Sequence, residues 1–300
     1  MTDHQEGVGR PANLSAWLPA PIDGQRAFQD LRSLCELGPR PAGSAANTEQ
    51  RRRVADHFLA SGGKVLEQPF RARHPISGAP VPMTNLIGRW GPDRPGRLLI
   101  GAHCDTRPHP DLDPDPVRRR GPFLGANDGA SGVALLMEIA RHLEGLGRRR
   151  GVDLILFDGE ELVFGQEGEY CLGSQAFARS YLLERRAGKV TWTYEAAIVL
   201  DMVGGEGLSI EKEGFSLDFA PEVVEEVWTI ARNLGAEVFR DREGIEVIDD
   251  HLPLIEAGVP AIVLIDFDFP YWHTAEDRPE NCSAESLAQV GRVVSAWLAS

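Results

Sequence analysis

Residues 97–105 read RLLIGAHCD, an apolar strand that ends on polar side chains, and this stretch decides the fold. Strands buried on both faces have such continuous apolar runs, which are typical of parallel sheets covered by helices. Three later segments share the pattern: VDLILF at 152–157, AAIVL at 196–200 and PAIVLI at 260–265. Amphipathic helical spacing separates the strands, for example at 223–234. We therefore predict an α/β fold, a three-layer α/β/α sandwich with a mostly parallel twisted central sheet.

The composition is that of an ordinary globular protein, with 42% hydrophobic and 25% charged residues in a chain of 300. Residues 1–22, which are rich in Pro, Gly and Ala, are predicted to form a loosely attached N-terminal arm. No linker interrupts the remainder, so residues 23–300 are predicted to form a single domain. The net charge of −14 argues against nucleic acid or an anionic membrane as a partner, because both select basic surfaces.

Three features of the sequence favour a cytoplasmic protein. The first residues lack the basic and apolar regions of a secretory signal. No apolar run approaches the ~18 residues that a membrane span needs. The cysteines are far apart and form no CxxC pair: Cys35, Cys104, Cys171 and Cys282. Reduced thiols in the cytosol are therefore expected.

Five side chains of the types that bind metals occur where predicted strands end: His103, Asp128, Glu161, Asp201 and His273. In an open α/β sheet, ligands bind in the crevice at the carboxyl ends of the strands, so these positions should converge. Each residue alone has an ordinary structural explanation, such as a turn cap for Asp201. Their conjunction predicts a zinc site, with either one ion and surrounding carboxylates or two ions bridged by Asp128.

The doublet Glu160-Glu161 supplies two different functions at such a site. Neighbouring side chains point in different directions, so one carboxylate can bind the metal while the other moves protons. A free glutamate in a partly dry cleft can have its pKa shifted toward neutrality, which suits general acid–base catalysis. The motifs GxSxG, GxxxxGK[ST], GxGxxG and HExxH do not occur in the sequence.

Five motifs together resemble the zinc-dependent M28-type aminopeptidase superfamily, whose members include di-zinc aminopeptidases and glutaminyl-peptide cyclotransferases. The motifs are GAHCD at 101–105, ANDGASG at 126–132, FDGEE at 157–161, LDM at 200–202 and WHT at 272–274. They occur in the family's order across roughly residues 25–300. FDGEE, IDDHLP at 248–253 and FPYWHT at 269–274 are more similar to the glutaminyl cyclase branch.

The resemblance implies a role for each matching residue. Asp128, Glu161 and His273 would hold zinc, one Zn2+ ion per chain in the cyclase branch. In the di-zinc peptidases His103 and Asp201 would hold a second ion. The remaining roles would be Glu160 as the proton shuttle, Asp201 and Asp249 as its carboxylate network, and Trp272, Phe269 and Ile248 around the substrate.

The resemblance also implies a reaction. A glutaminyl cyclase converts an N-terminal glutamine to pyroglutamate and releases ammonia. The alternative is a di-zinc aminopeptidase that hydrolyses the first residue from a peptide, and a third reading is a non-catalytic protein that binds peptide N-termini. In each case the expected partner is a peptide or small molecule with a free N-terminal amine, bound by a catalytic-type domain spanning residues 23–300.

Overall fold

The computed structural model describes residues 21–144 and 150–300. The predicted arm at 1–22 therefore lies outside the described residues except for its last two positions. The helices are α1 (Gly24–Cys35), α2 (Ala45–Ala60), α3 (Ala130–Ala140), α4 (Leu172–Arg186), α5 (Gly214–Phe219), α6 (Pro221–Leu234), α7 (His251–Glu256) and α8 (Ala284–Ala299). The strands are β1 (Lys64–Arg73), β2 (Pro80–Trp90), β3 (Gly96–His103), β4 (Gly151–Phe157), β5 (Val163–Phe164), β6 (Glu167–Gly168), β7 (Thr193–Asp201), β8 (Ile210–Lys212), β9 (Phe239–Glu243) and β10 (Ala261–Ile265).

The central sheet has the strand order β1-β2-β4-β3-β7-β10. The pairs β4/β3, β3/β7 and β7/β10 are parallel, whereas β2 runs antiparallel to both of its neighbours. The short connection from β1 to β2 suits an antiparallel pair, because a parallel pair would need a crossover of a dozen or more residues. The prediction of a mostly parallel sheet is confirmed.

Apolar side chains leave the parallel strands alternately toward two hydrophobic clusters, one on each face of the sheet. Leu98 and Ile100 of β3 belong to the larger cluster, with α1, α2, α3, α6 and α8, whereas Leu99 belongs to the smaller cluster, with α4 and α7. Helices therefore cover both faces of the sheet, and the predicted three-layer α/β/α sandwich is confirmed.

Helix α3 is buried along its whole length, so the turn that precedes it also lies in the interior of the protein. Gly132 allows this close packing, since a Cβ atom there would lie 2.5 Å from the carbonyl oxygen of Leu200 on β7. The approach sets Asp128, two residues before α3, beside the carboxyl end of β7, where Asp201 lies.

Several short elements differ from the sequence-based expectation. The stretch after β4 contains the two-residue strands β5 and β6, which were not predicted. The pair β8/β9 and helices α5 and α7 were not predicted, because elements this short do not complete a recognisable period. The Pro- and Asp-rich loop at 107–124 stays largely irregular, and the backbone N–H of Leu112 within it donates to the carbonyl of His273 at 3.2 Å.

Candidate active site

The carboxyl ends of the parallel strands bring the five predicted metal-binding side chains together. Nε2 of His103 lies 3.1 Å from Oδ1 of Asp201 and 3.2 Å from Oδ1 of Asp128. Nε2 of His273 lies 3.0 Å from Oε1 of Glu161 and 3.3 Å from Oδ2 of Asp128. Asp128 therefore stands between the two histidines, with one carboxylate oxygen directed to each.

These side chains form two overlapping groups, His103–Asp128–Asp201 and Asp128–Glu161–His273. Within each group the candidate ligand atoms lie within 4.8 Å of one another. Oδ2 of Asp128 is buried and has no hydrogen-bond partner among the described residues. Imidazole nitrogens and carboxylate oxygens are suitable zinc ligands, and a cation would satisfy that oxygen, so both groups fit the metal.

The electrostatics of the cluster also favour a cation. Burial raises the pKa of Asp201 to about 7, even though His103 opposes that rise. Burial alone would lower the pKa of His273, but Asp128 and Glu161 raise it to about 9. The cluster thus retains protons that a divalent cation would displace, which couples metal binding to proton release.

Glu160 belongs to neither ligand group. It is buried, and burial together with the negative charge of Glu161 raises its pKa well above the usual range. Its Oε1 lies 3.8 Å from Sγ of Cys171. Asp249 is buried, and its charge acts on both Glu160 and Asp201, whose side chain is 15% exposed. Burial raises the pKa of Asp249 as well. A buried carboxylate of this kind can accept and return a proton.

Asp105 fixes the orientation of the glutamate doublet. Its carboxylate accepts hydrogen bonds from the backbone N–H groups of Gly159 at 2.8 Å, Glu160 at 3.0 Å and Glu161 at 3.0 Å. Asp105 lies two residues beyond His103, so it joins the end of β3 to the turn after β4. The sequence analysis included Asp105 in the GAHCD motif without assigning it a role, although its place after a strand end was a usable signal.

Asp277 performs the same task for the turn that carries Asp128, and sequence reasoning missed it. Its two carboxylate oxygens accept from the backbone N–H groups of Asn127 at 2.7 Å and Asp128 at 3.0 Å. Asp277 lies four residues after His273. One loop therefore contributes a candidate ligand and also holds the turn that presents another.

Arg107 and Asp111 form a further layer behind the candidate ligands. Arg107 is buried, and its Nη1 donates to Oε2 of Glu161 at 2.7 Å and to the hydroxyl of Tyr170 at 3.2 Å. Its Nε and Nη2 donate to the two carboxylate oxygens of Asp111 at 2.8 and 2.9 Å. Asp111 in turn lies 3.8 Å from Nδ1 of His273. One ion pair thus orients two candidate ligands.

The backbone is left-handed at three non-glycine positions of the described chain, and all three adjoin the site. The φ angles are 54° at His273, 46° at Met202 and 62° at Cys171. Such conformations cost about 1–3 kcal/mol each and persist only where the surrounding structure imposes them. The side chain of His273 is therefore directed toward Asp128 by a backbone that the fold holds in place.

The predicted substrate-binding residues differ in exposure. The ring of Trp272 packs against the ring of His273, with centroids 4.1 Å apart. It also packs against the ring of Phe267, with centroids 4.8 Å apart. Phe269 is 4% exposed and packs on Tyr271. Ile248 is 69% exposed. Phe267, which sequence reasoning did not select, is thus a second ring packed against Trp272.

Comparisons with known proteins identify the family of this chain and agree with its fold. The model of peptidase family M28 matches residues 85–298. A glutaminyl cyclase from Fimbriiglobus ruber superposes with a TM-score of 0.90 at 37% identity, over 97% of this chain and 99% of that one. A Zn-dependent exopeptidase from Parabacteroides distasonis superposes with a TM-score of 0.85 at 33% identity, over 92% and 98%. The glutaminyl-peptide cyclotransferase-like protein of Mus musculus is 27% identical, over 93% of this chain and 76% of its own length.

Proposed function

The chain belongs to peptidase family M28, and from this membership we propose that it is a zinc-dependent glutaminyl cyclase. It would convert the N-terminal glutamine of a peptide to pyroglutamate and release ammonia. The observation that carries the proposal is the buried carboxylate of Glu160, which lies outside both ligand groups and close enough to Asp249 to be affected by its charge. The likeness to the F. ruber cyclase over nearly the whole chain supports the same reaction.

We assign Asp128, Glu161 and His273 as the ligands of one zinc ion per chain, leaving Asp201 in the carboxylate network of Glu160. These three side chains form one of the two compact groups and fit the usual three protein ligands of a catalytic zinc. When bound there, zinc would act as a Lewis acid on the γ-carbonyl of the substrate glutamine.

Glu160 performs the proton transfers in this proposal. It accepts a proton from the α-amine while the amine nitrogen bonds to the γ-carbonyl carbon. It then returns a proton to the amide nitrogen as the bond between that nitrogen and the γ-carbon breaks, so ammonia leaves and no water is consumed. Asp201 and Asp249 stabilise the proton on this buried cluster, and Trp272 helps to hold the glutamine side chain folded toward its own amine, an orientation effect.

An aminopeptidase is the second candidate, and the group His103–Asp128–Asp201 favours it. This group would complete a second metal site, with Asp128 shared between the two ions. The likeness to the P. distasonis Zn-dependent exopeptidase supports the same reading. Glu160 would then serve as the base for a water molecule. Zinc content separates the candidates: one ion per chain supports the cyclase, two the hydrolase.

Incubation with two peptides that differ only in a first residue of glutamine or leucine tests the reaction directly. We expect the glutamine peptide to lose the mass of one ammonia molecule and the leucine peptide to remain intact, as measured by mass spectrometry. The matched control is an N-acetylated glutamine peptide, which has no free amine to attack and should not react. Release of the first amino acid from either peptide would instead establish hydrolysis.

Replacement of Arg107 by Met should weaken zinc binding by about 10- to 100-fold, the usual effect of losing a partner that orients metal ligands. The substitution frees Oε2 of Glu161 and leaves the carboxylate of Asp111 without its bidentate partner. Competition with a chromophoric chelator measures the affinity.

The control for this variant is Arg118→Met, which removes a half-exposed arginine of the same loop that pairs with Glu276. Arg118→Met should bind zinc with the affinity of the unmodified protein. The zinc affinity of Arg107→Lys should lie between those of Arg107→Met and the unmodified protein, because lysine cannot form the bidentate contact. Arg107→Met with undiminished zinc affinity would remove the Arg107–Asp111 pair from the support of the ligands.

Residues 23–300 would form one catalytic domain in this proposal, and we further propose a cytoplasmic location without a nucleic-acid or membrane partner. The four cysteines are buried and unpaired, which supports a reducing compartment. Among the described residues, no helix combines the length and apolarity that crossing a bilayer requires. Cell fractionation tests the location, and recovery in a membrane or secreted fraction would contradict it.

A further inference from the structure

A groove of about 1110 Å³ extends from the candidate site along α4. Its walls come from β1, α4 and α7. Pockets for small molecules usually have volumes of about 300–1,000 Å³, so this groove exceeds the needs of a single glutamine side chain. Its size suits several residues of an extended peptide.

The groove adjoins the candidate site at one end. Cys171 and Asp249 line it, and Sγ of Cys171 lies 3.8 Å from Oε1 of Glu160. Tyr170, which also lines it, accepts from Arg107 behind the candidate zinc ligand Glu161. A peptide whose first residue reaches Glu160 can therefore continue into the groove.

The charges in the groove contrast with those of the whole protein. Arg71, Arg179 and Arg186 line it, and all three are exposed and have no ion-pair or hydrogen-bond partner in the part of the chain that the structure describes. The chain as a whole has a net charge of −14. Three carboxylates also line the groove: the exposed Glu169 and Glu256, and the buried Asp249 at its inner end. Along the exposed part of the groove, three unpaired arginines therefore face two carboxylates.

Apolar side chains form the surface between these charges. Leu183 is 56% exposed and Ile248 is 69% exposed, and both line the groove. Such a surface suits an extended peptide. The peptide would cover the exposed apolar atoms, and its acidic side chains would pair with the arginines.

We propose that this groove binds the polypeptide downstream of the N-terminal glutamine and selects segments with acidic side chains. This inference rests on the proposed cyclase function and specifies its substrates. At 1.5 Å per helical residue, Arg179 and Arg186 lie roughly 12 and 22 Å along α4 from Cys171. An extended peptide advances about 3.3–3.6 Å per residue, so Arg179 meets about the third or fourth residue after the glutamine and Arg186 about the sixth or seventh.

Cyclisation rates of matched peptides test the proposal. The set comprises a glutamine dipeptide amide and three glutamine-initiated octapeptides with aspartate, asparagine or lysine at the positions facing Arg179 and Arg186. Exposed ion pairs have modest energies, so we expect kcat/KM to be about three- to tenfold higher for the aspartate peptide than for the asparagine peptide, and lowest for the lysine peptide. The preference should shrink at high ionic strength.

Two variants identify the residues responsible. Replacing Arg179 and Arg186 together by Glu should reverse the order of the aspartate and lysine peptides while leaving kcat/KM for the dipeptide unchanged. The matched control is Arg185→Glu, since Arg185 lies on the same helix, packs over Tyr181 and does not line the groove. This control should retain the preference for aspartate.

The outcomes separate this inference from the function on which it rests. Cyclisation of the dipeptide with equal kcat/KM for all three octapeptides overturns the inference and leaves the cyclase function intact. A preference for aspartate that survives in the double variant also overturns it, because the groove would not be its source. Failure to cyclise any glutamine peptide overturns the proposed function itself.

Discussion

Glu160→Gln is expected to retain zinc while kcat for a glutamine peptide falls by about 10²–10⁴, the usual contribution of a general acid–base residue. The glutamine amide has nearly the shape of the carboxylate but does not take and return a proton. Glu160 lies outside both ligand groups, so its replacement leaves Asp128, Glu161 and His273 in place. Its backbone N–H also keeps the hydrogen bond to Asp105 that orients the turn.

Zinc content per chain and steady-state turnover of the purified variant are the measurements for this prediction. A suitable control is Glu184→Gln, the same chemical change at an exposed position of α4 outside the groove, which should leave both quantities unaltered. Full turnover by a zinc-loaded Glu160→Gln protein would remove Glu160 from the mechanism. Loss of zinc would show instead that Glu160 supports the metal.

His273→Ala is expected to abolish zinc binding and, with it, turnover. His273 supplies the imidazole that stands 3.0 Å from Glu161 and 3.3 Å from Asp128. Without it the assigned ligand group keeps only the carboxylates of Asp128 and Glu161, whereas a catalytic zinc usually has three protein ligands. After dialysis against a weak chelator, zinc should be nearly absent from the variant and retained by the unmodified protein.

A histidine elsewhere in the same region provides the control for this loss. His109 is exposed in the loop at 107–124 and is part of neither ligand group, so His109→Ala should keep its zinc. Circular dichroism should show that both variants remain folded. Full zinc occupancy in His273→Ala would refute the ligand assignment that underlies the proposed reaction.

The fold was largely predictable because the apolar runs of the parallel strands are local features of the sequence. The runs at 97–102 and 196–200 are each long enough to identify a strand buried on both faces. The order of strands was not predictable, since it depends on pairing between distant segments. The place of β2 beside β4, antiparallel to it, is such a pairing. The short helices α5 and α7 contain too few residues to show a helical period.

The candidate ligands were predictable for a related reason, since strand ends in a parallel sheet meet at one edge. The residues that position them were harder to find. Asp277 binds backbone N–H groups about 150 positions away, and no local pattern in the sequence reports that contact. The packing of Phe267 against Trp272 was not predicted, because it depends on the course of a turn.

The left-handed backbone at His273 limits how this centre can be transplanted. A designer who copied three side chains onto another α/β scaffold would reproduce the donor atoms without the main-chain path that aims them. An ordinary right-handed turn would direct the imidazole elsewhere, since the torsion of 54° is imposed by its surroundings. The portable unit is therefore the whole loop together with the aspartates that anchor its neighbours.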